Sequence, residues 1–325
     1  MKELTLGPVH IQIYGLLLAA GLCCALGWFL ARPGEIRRET RMRFALLALP
    51  LGFLAARLGQ CLVSQGWYLL RENYFFNFSR GGFMLYGALG GMVLAAWIAV
   101  RKTGEPLGRL LDLAAAPGML AIAVCRLAEG VIGVGYGRSM EDWFDPWGEY
   151  TFFPLEDPEP LMRFPFGIPD YYGDYHFSIF LLEGLFAILF LILLIRKGKA
   201  NAPGALFLWG LTLYAGAQTT LESLRADSLP KWGFVRVNQL ISGAVLVLCM
   251  GLCFRRLRRA GRRIPWELGA GLAGCMGVIL AMEFALEKKI LFLQWMRMDL
   301  CYLVMALASL GMILLCRTAL KKAYE

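Results

Sequence analysis

Charge is scarce in this 325-residue chain: only 18% of its residues are Asp, Glu, Lys or Arg, whereas 58% are hydrophobic. So little charge on so much apolar surface excludes an ordinary soluble domain, where charged residues run near about a quarter. Histidine is nearly missing as well, with only His10 and His176. The nine cysteines contain no metal-like C-x-x-C pair, so neither a metal site nor a cofactor is expected. Cys249 and Cys253 sit one helical turn apart, and all nine read as small apolar fillers of the spans. No P-loop, G-x-S-x-G or H-E-x-x-H occurs, which removes the commonest nucleotide, serine-hydrolase and zinc-peptidase chemistries. The first apolar run lacks a basic leader and a small-residue cleavage site, so it reads as a retained span.

What the chain has instead is long apolar runs. Nine of them, roughly 10–31, 42–64, 83–100, 109–127, 177–195, 204–222, 237–254, 266–284 and 299–316, are of membrane-crossing character. The expected fold is all-α: a polytopic helical membrane protein of about nine transmembrane helices, with a small extracytoplasmic cap between spans four and five. Of the 33 Lys and Arg residues, 20 fall on one side, 12 on the other, and Arg57 lies inside a span. The richer side, which includes the run Arg255 to Arg263, is expected to be cytoplasmic, with the N-terminus outside and the C-terminus inside. The net charge of +9 is then mainly a topology signal, although the basic run can also touch anionic headgroups. No basic patch interleaved with aromatics sits on a soluble element, so nucleic acid is not an expected partner.

The one long connection, 128–175, carries ten acidic residues against Arg138 and Arg163, and it is rich in aromatics such as Trp143, Trp147, Phe152, Phe164 and Tyr171. It reads as an aromatic cap or an interfacial lid, since such residues favour the headgroup region. The stretch leading into it, Arg109 to Arg138, is the most informative in the chain. It places Asp112 near the start of an apolar helix, then Arg126 and Glu129 near its end, then a glycine-broken exit from Gly130 to Gly137. An ionisable group at bilayer depth costs from about 2.5 kcal/mol upward, so such residues face a protein interior or a wet cavity. Arg126 and Glu129 are three apart on one helical face and can neutralise each other or serve a ligand. Asp112 reads as a charge favoured by its own helix dipole. Glu183 and Glu283 lie inside spans with partners the sequence does not name, and Arg225 reads as a rim residue paired with Glu222. Gly81, Gly82, Gly87, Gly90 and Gly91 make span three smooth, for close helix packing or for an acyl chain.

Several short motifs in this order resemble the prolipoprotein diacylglyceryl transferase family over about residues 1–254. They are Gly7, Pro8, Tyr14, Gly15 and Leu16; Arg57, Leu58 and Gly59; Arg80, Gly81, Gly82 and Gly87; an ungapped signature from Cys125 to Arg138; Pro146, Trp147 and Gly148; and Tyr214, Gln218, Glu222 and Arg225. The polar centre departs from the family pattern: Tyr86 stands for its His, Glu129 and Ile132 for two Asn, Val134 for a Glu and Gln218 for an Arg. The resemblance divides the chain into a transferase-like membrane domain, 1–254, containing the cap, and a C-terminal extension of two helices, 255–325.

The resemblance implies transfer of a diacylglyceryl group from phosphatidylglycerol to the lipobox cysteine thiol of a prolipoprotein signal peptide, in the bacterial plasma membrane. The thiolate is the competent nucleophile, and the leaving phosphate suits the bidentate guanidinium of Arg. Arg126 is the first candidate for the phosphate, with Tyr86 and Glu129 beside it as catalytic candidates. Arg57 and Arg225 are candidates for the headgroup pocket and Arg138 for its opening, with Tyr14, Tyr214 and Glu222 as further binding residues. Two other classes fit the sequence: a non-catalytic relative that binds anionic phospholipid or lipoprotein precursor, and a small-molecule transporter.

Overall fold

The computed structural model describes residues 3–6, 9–64, 74–76, 82–140, 164–170, 173–198, 202–227, 231–232, 235–288 and 295–324. Among them are nine helices: α1 Ile13–Ala31, α2 Arg38–Ser64, α3 Leu85–Arg101, α4 Leu107–Glu129, α5 Ile179–Lys197, α6 Ala205–Leu224, α7 Val237–Arg259, α8 Trp266–Leu286 and α9 Met298–Tyr324. Seven are long and apolar enough to cross a membrane; α3 is shorter, with 17 residues, and α6 carries more polar side chains. The protein is a polytopic helical membrane protein.

Each apolar run becomes one helix because, in lipid, only a closed backbone ladder satisfies every N–H and C=O. The first run departs from expectation at its start, since the helix begins at Ile13 rather than near residue 10. Val9–Gln12 (β2) instead pairs antiparallel with Glu3–Leu6 (β1), so the strand ladder claims those backbone groups first. Two more small hairpins flank the site: Gly167–Pro169 (β3) with Tyr175–Phe177 (β4), and Lys231–Trp232 (β5) with Val235–Arg236 (β6). The expected cap is described only at its edges. Residues 141–163 and 171–172, with Trp143, Trp147 and Phe152 among them, lie outside the described residues, as do Gly7, Pro8, Arg80 and Gly81.

Helix α2 packs on α3, α4 on α1, α5 and α6, and α7 on α6. Helix α9 lies against α6, α7 and α8. Close approach of α2 and α3 depends on missing side chains: a Cβ at Gly87 would stand 2.5 Å from the Ala55 carbonyl oxygen, and one at Gly91 only 2.3 Å from that of Leu51. Here the small residues serve helix packing. Pro117 inside α4 leaves the carbonyl four residues earlier without its helical donor, and Arg32 Nη1 takes that Leu113 oxygen at 3.4 Å. Asp112 does not act at the end of its own helix. Its carboxylate accepts from the backbone N–H of Gly204 at 2.8 Å and of Phe207 at 2.9 Å, so it caps α6 from across the bundle.

Candidate functional site

The ends of α4 and α6 and the start of α5 meet around a closed ring of buried charge. Arg126 Nη1 donates to Glu129 Oε1 at 2.8 Å. Arg225 Nη1 donates both to Glu129 Oε2 and to Glu183 Oε2, each at 2.9 Å. Glu183 closes the ring 3.5 Å from Arg126 Nη1. Burial of these four residues is near complete, Glu183 being 2% exposed. Taking charges out of water is expensive, and mutual attraction offsets that cost only where geometry and extra hydrogen bonds are good. The extra bonds are present. Arg126 Nη2 donates to the Tyr214 hydroxyl at 3.0 Å, Gln218 to Glu183 at 2.7 Å, and Arg225 Nε to Asp227 at 3.1 Å. Burial by itself would weaken the Arg225 charge, but the carboxylates of Glu183 and Glu129 outweigh it and raise its pKa.

Backbone fixes the ring from one side. Asp227 Oδ2 accepts from the Gly135 N–H at 2.6 Å, Ala226 N–H donates to Tyr136 O, and Gly137 bridges Arg225 in antiparallel fashion. The glycine-broken exit is therefore stitched to the end of α6. Gly135 has φ +81°, and a Cβ there would stand 2.8 Å from Glu129 Oε2, so a side chain would be both strained and in the ring's way.

One part of the ring stays open. Arg126 Nε is buried and has no hydrogen-bond partner among the described residues, an unsatisfied cationic donor at the centre of the cluster. Next to it, Gln218 also donates to Glu222 at 2.9 Å, and Asn238 donates to the other Glu222 oxygen at 3.1 Å. Tyr86 stands edge-on to Tyr214, ring centroids 6.0 Å apart, and shares a 2.6 Å hydrogen bond with Ser242. The Ser242 hydroxyl donates to Asn238 O at 2.7 Å, so Tyr86 supplies the proton of their shared bond and keeps its own lone pairs free. Tyr14 stands beside Cys125, one residue before Arg126.

Below this polar cluster an apolar cavity runs between α3, α4 and α6, lined by Leu89, Met92, Ala115, Gly118, Leu211 and Tyr214 among others. Tyr214 belongs to both: its ring lines the cavity and its hydroxyl meets Arg126.

Seven of the residues singled out in the sequence thus share one site: Tyr14, Tyr86, Arg126, Glu129, Tyr214, Glu222 and Arg225. Arg225 corrects the sequence reading. It is 6% exposed and paired with Glu129, Glu183 and Asp227, not a rim residue paired with Glu222. The hairpin-like stitching to the exit loop is what covers it. Arg57 is fully buried elsewhere, its guanidinium donating to Phe75 O at 3.3 Å and Gly82 O at 2.8 Å, where it anchors the chain entering α3. Arg138 lies on the exit loop with Nη1 3.7 Å from Met298 Sδ of α9. Glu183, Asp227 and Asn238 complete the site without having been assigned to it in advance. Only Glu183 gave a signal, as a carboxylate within an apolar run.

His176 does not reach the ring, since its Nδ1 bonds Gly137 O at 3.0 Å and its Nε2 stands 3.5 Å from Asp170. Among the described residues no cluster of metal-binding side chains occurs.

Known proteins share this arrangement of sequence. A phosphatidylglycerol–prolipoprotein diacylglyceryl transferase of Bacillus licheniformis is 29% identical over 266 residues, spanning 80% of this chain and 93% of the relative. Proteins of the same name from Bacillus cereus and Bacillus thuringiensis are each 28% identical over 265 residues, covering 77% of this chain and 90% of theirs. A model of the prolipoprotein diacylglyceryl transferase family matches residues 2–255, the span that contains the whole charge ring, the tyrosines around it and the apolar cavity. With several helices converging on that site and most of its length matched, the chain belongs to the prolipoprotein diacylglyceryl transferase family.

Proposed function

We propose that this protein transfers the diacylglyceryl group of phosphatidylglycerol to the lipobox cysteine thiol of a prolipoprotein signal peptide. The observation that carries the reading is the unpartnered Nε of buried Arg126, whose Nη2 holds Tyr214, a residue that lines an apolar cavity. A lipid with an anionic head and an acyl tail matches that combination: the apolar lining takes part of an acyl chain, and a phosphate oxygen takes the unpaired guanidinium donor. Tyr214 stands at the junction of head and tail.

In the transfer, a C–S bond forms as the C–O bond from the diacylglyceryl carbon to phosphate breaks, and glycerol phosphate leaves with the electron pair. Arg126 and Arg225 stabilise the charge that grows on the departing phosphate. Glu129 already touches both guanidiniums. Glu129, held between the two guanidiniums, takes the thiol proton as the phosphate engages those cations. Tyr86, hydrogen-bonded to Ser242 and edge-on to Tyr214, walls the place where the thiol meets the lipid. Tyr14 and Glu222 bound the headgroup space, and Arg138 flanks its opening. The site faces the outside of the bacterial plasma membrane, with the N-terminus outside and the C-terminus cytoplasmic.

One observation favours the non-catalytic alternative, a lipid or precursor binder: both guanidiniums are already matched by carboxylates. The deciding experiment uses purified protein, phosphatidylglycerol vesicles and a lipobox peptide, following peptide mass and glycerol phosphate release. Transfer predicts a gain of one diacylglyceryl group that disappears when the peptide cysteine is replaced. Lipid retention with no mass gain, beside an active relative under the same conditions, supports the binder.

A further inference from the structure

The matched residues end at 255, within α7, so α8 and α9 lie beyond them. Yet α9 reaches the C-terminal half of α6 at several points, and α8 reaches it through α7. Ser309 of α9, 4% exposed, has its Oγ 2.7 Å from Thr219 Oγ1 and 2.6 Å from Thr220 Oγ1. Thr219 in turn donates to Gly216 O at 2.6 Å. Each hydroxyl has one proton, so the chain runs one way: Thr220 donates to Ser309, Ser309 to Thr219, and Thr219 to the backbone. Tyr302 of α9 donates to Ser223 O at 3.2 Å. A Cβ at Gly216 would stand 2.3 Å from Ile313 Cγ1, so α6 and α9 meet at close range there.

The opposite flank is held through α8. Gln239 of α7 uses both amide hydrogens, one on Thr219 O and one on Glu283 Oε1, each at 2.7 Å. Its own Oε1 meets no donor among the described residues. The two acceptors therefore dictate the amide's orientation, and one of the two is Glu283, a 3% exposed carboxylate within α8. Asn238, the neighbour of Gln239, donates to Glu222.

We infer that α8 and α9 position the last turn of α6, and through it Glu222 and Arg225, with Glu283, Ser309 and Tyr302 as positioning residues. This rests on the transfer reading above. A buried carboxylate held by a neutral amide does not favour folding in lipid, where a leucine would serve better. The contribution of Glu283 is the direction in which it turns Gln239. Because the acyl cavity is built from α3, α4 and the earlier turns of α6, loosening the last turn disturbs the headgroup geometry and leaves chain binding in place. The effect belongs in kcat, where small misplacements weigh heavily.

The test compares the full-length protein with Glu283→Leu, Glu283→Gln, Ser309→Ala and Ser309→Thr in phosphatidylglycerol vesicles with a lipobox peptide. Thermal midpoints are measured in parallel. The expected result is that Glu283→Leu melts no lower than the unaltered protein, loses on the order of tenfold in kcat, and keeps KM for phosphatidylglycerol within about twofold. Glu283→Gln, which retains an acceptor oxygen, keeps kcat within about twofold. Ser309→Ala follows Glu283→Leu, and Ser309→Thr, which keeps the hydroxyl, follows the unaltered protein; this pair decides alone if Glu283→Leu does not fold. Unchanged kcat in both Glu283→Leu and Ser309→Ala overturns the inference. So does a kcat loss that only tracks a fallen thermal midpoint. Absence of transfer by the unaltered protein overturns the transfer reading instead, a separate and distinguishable failure.

Discussion

Arg126 shows how much one side chain can be asked to do. Its Nη1 serves Glu129, its Nη2 serves Tyr214, and its Nε is left for a ligand. Lysine offers a single point charge and no fork, so it cannot reproduce these directions. Arg126→Lys is expected to keep the fold, because the ring retains its charge, and to lose about 10²- to 10³-fold in glycerol phosphate release, the scale seen when an aligned transition-state donor is removed. Arg126→Leu leaves Glu129 and Glu183 with one buried cation between them, and breaking such a cluster destabilises by about 3–5 kcal/mol. A thermal melt in detergent separates the two variants, and a Lys variant with full activity would refute the role given to the fork. At this scale the sequence was partly readable. The pairing of Arg126 with Glu129 follows from their spacing on one helix, because residues three apart share a face. The partnership of Arg225 with Glu183 was not, because it joins the end of α6 to the first turns of α5 across a register that no local pattern encodes.

Among the elements, helix positions were the most legible feature, since apolar runs ended by charges define spans directly. Which face of a span meets which neighbour was not. The glycines of α3 illustrate the difference. Gly91 faces Leu51 of α2 at 2.3 Å from a would-be Cβ, whereas nothing lies within 4 Å of one at Gly90. Gly91→Ala must therefore push backbone apart, at a cost of about 1–3 kcal/mol. Gly90→Ala meets open space and is expected to be neutral or to stabilise by up to about 1 kcal/mol through helix propensity. Equal thermal midpoints for the two variants would contradict the packing described here. Asp112 makes the same point between elements. Its carboxylate uses one oxygen for Gly204 and the other for Phe207 at the start of α6. Asp112→Ala is expected to lower stability by about 1 kcal/mol, the value of a helix cap, and Asp112→Asn by less, since one acceptor oxygen remains. If both variants melt like the unaltered protein, the cap across helices contributes nothing.

For the whole molecule, the polar site and the basic surface occupy opposite ends of the bundle. The charge ring sits where α4 and α6 end and α5 begins. At the other end α7 runs out into exposed Arg255, Arg258, Arg259, Arg262 and Arg263, and α9 into exposed Lys321 and Lys322. Arg256 stacks over Tyr324 at 4.1 Å, and Arg262 donates to Lys322 O, so the ends of α7 and α9 form one basic face. Each Lys or Arg near an anionic leaflet gains about 1 kcal/mol, and on the proposed topology a cluster of this size holds that face to the cytoplasmic side. Helix α7 starts beside the ring, with Asn238 on Glu222, and ends in the arginine run, so the two features lie at its opposite ends. The proposed topology puts the C-terminus in the cytoplasm and turns the charge ring outward, where a secreted acceptor would reach it. A fluorescent protein that matures only in the cytoplasm, fused after the last helix, is expected to shine, and alkaline phosphatase at the same position to stay inactive. The reverse pair would invert the molecule and place the ring on the wrong side for an exported thiol. Replacing the exposed arginines of 255–263 by glutamine is expected to shift fusions toward mixed orientation without altering the ring, because none of those side chains takes part in it.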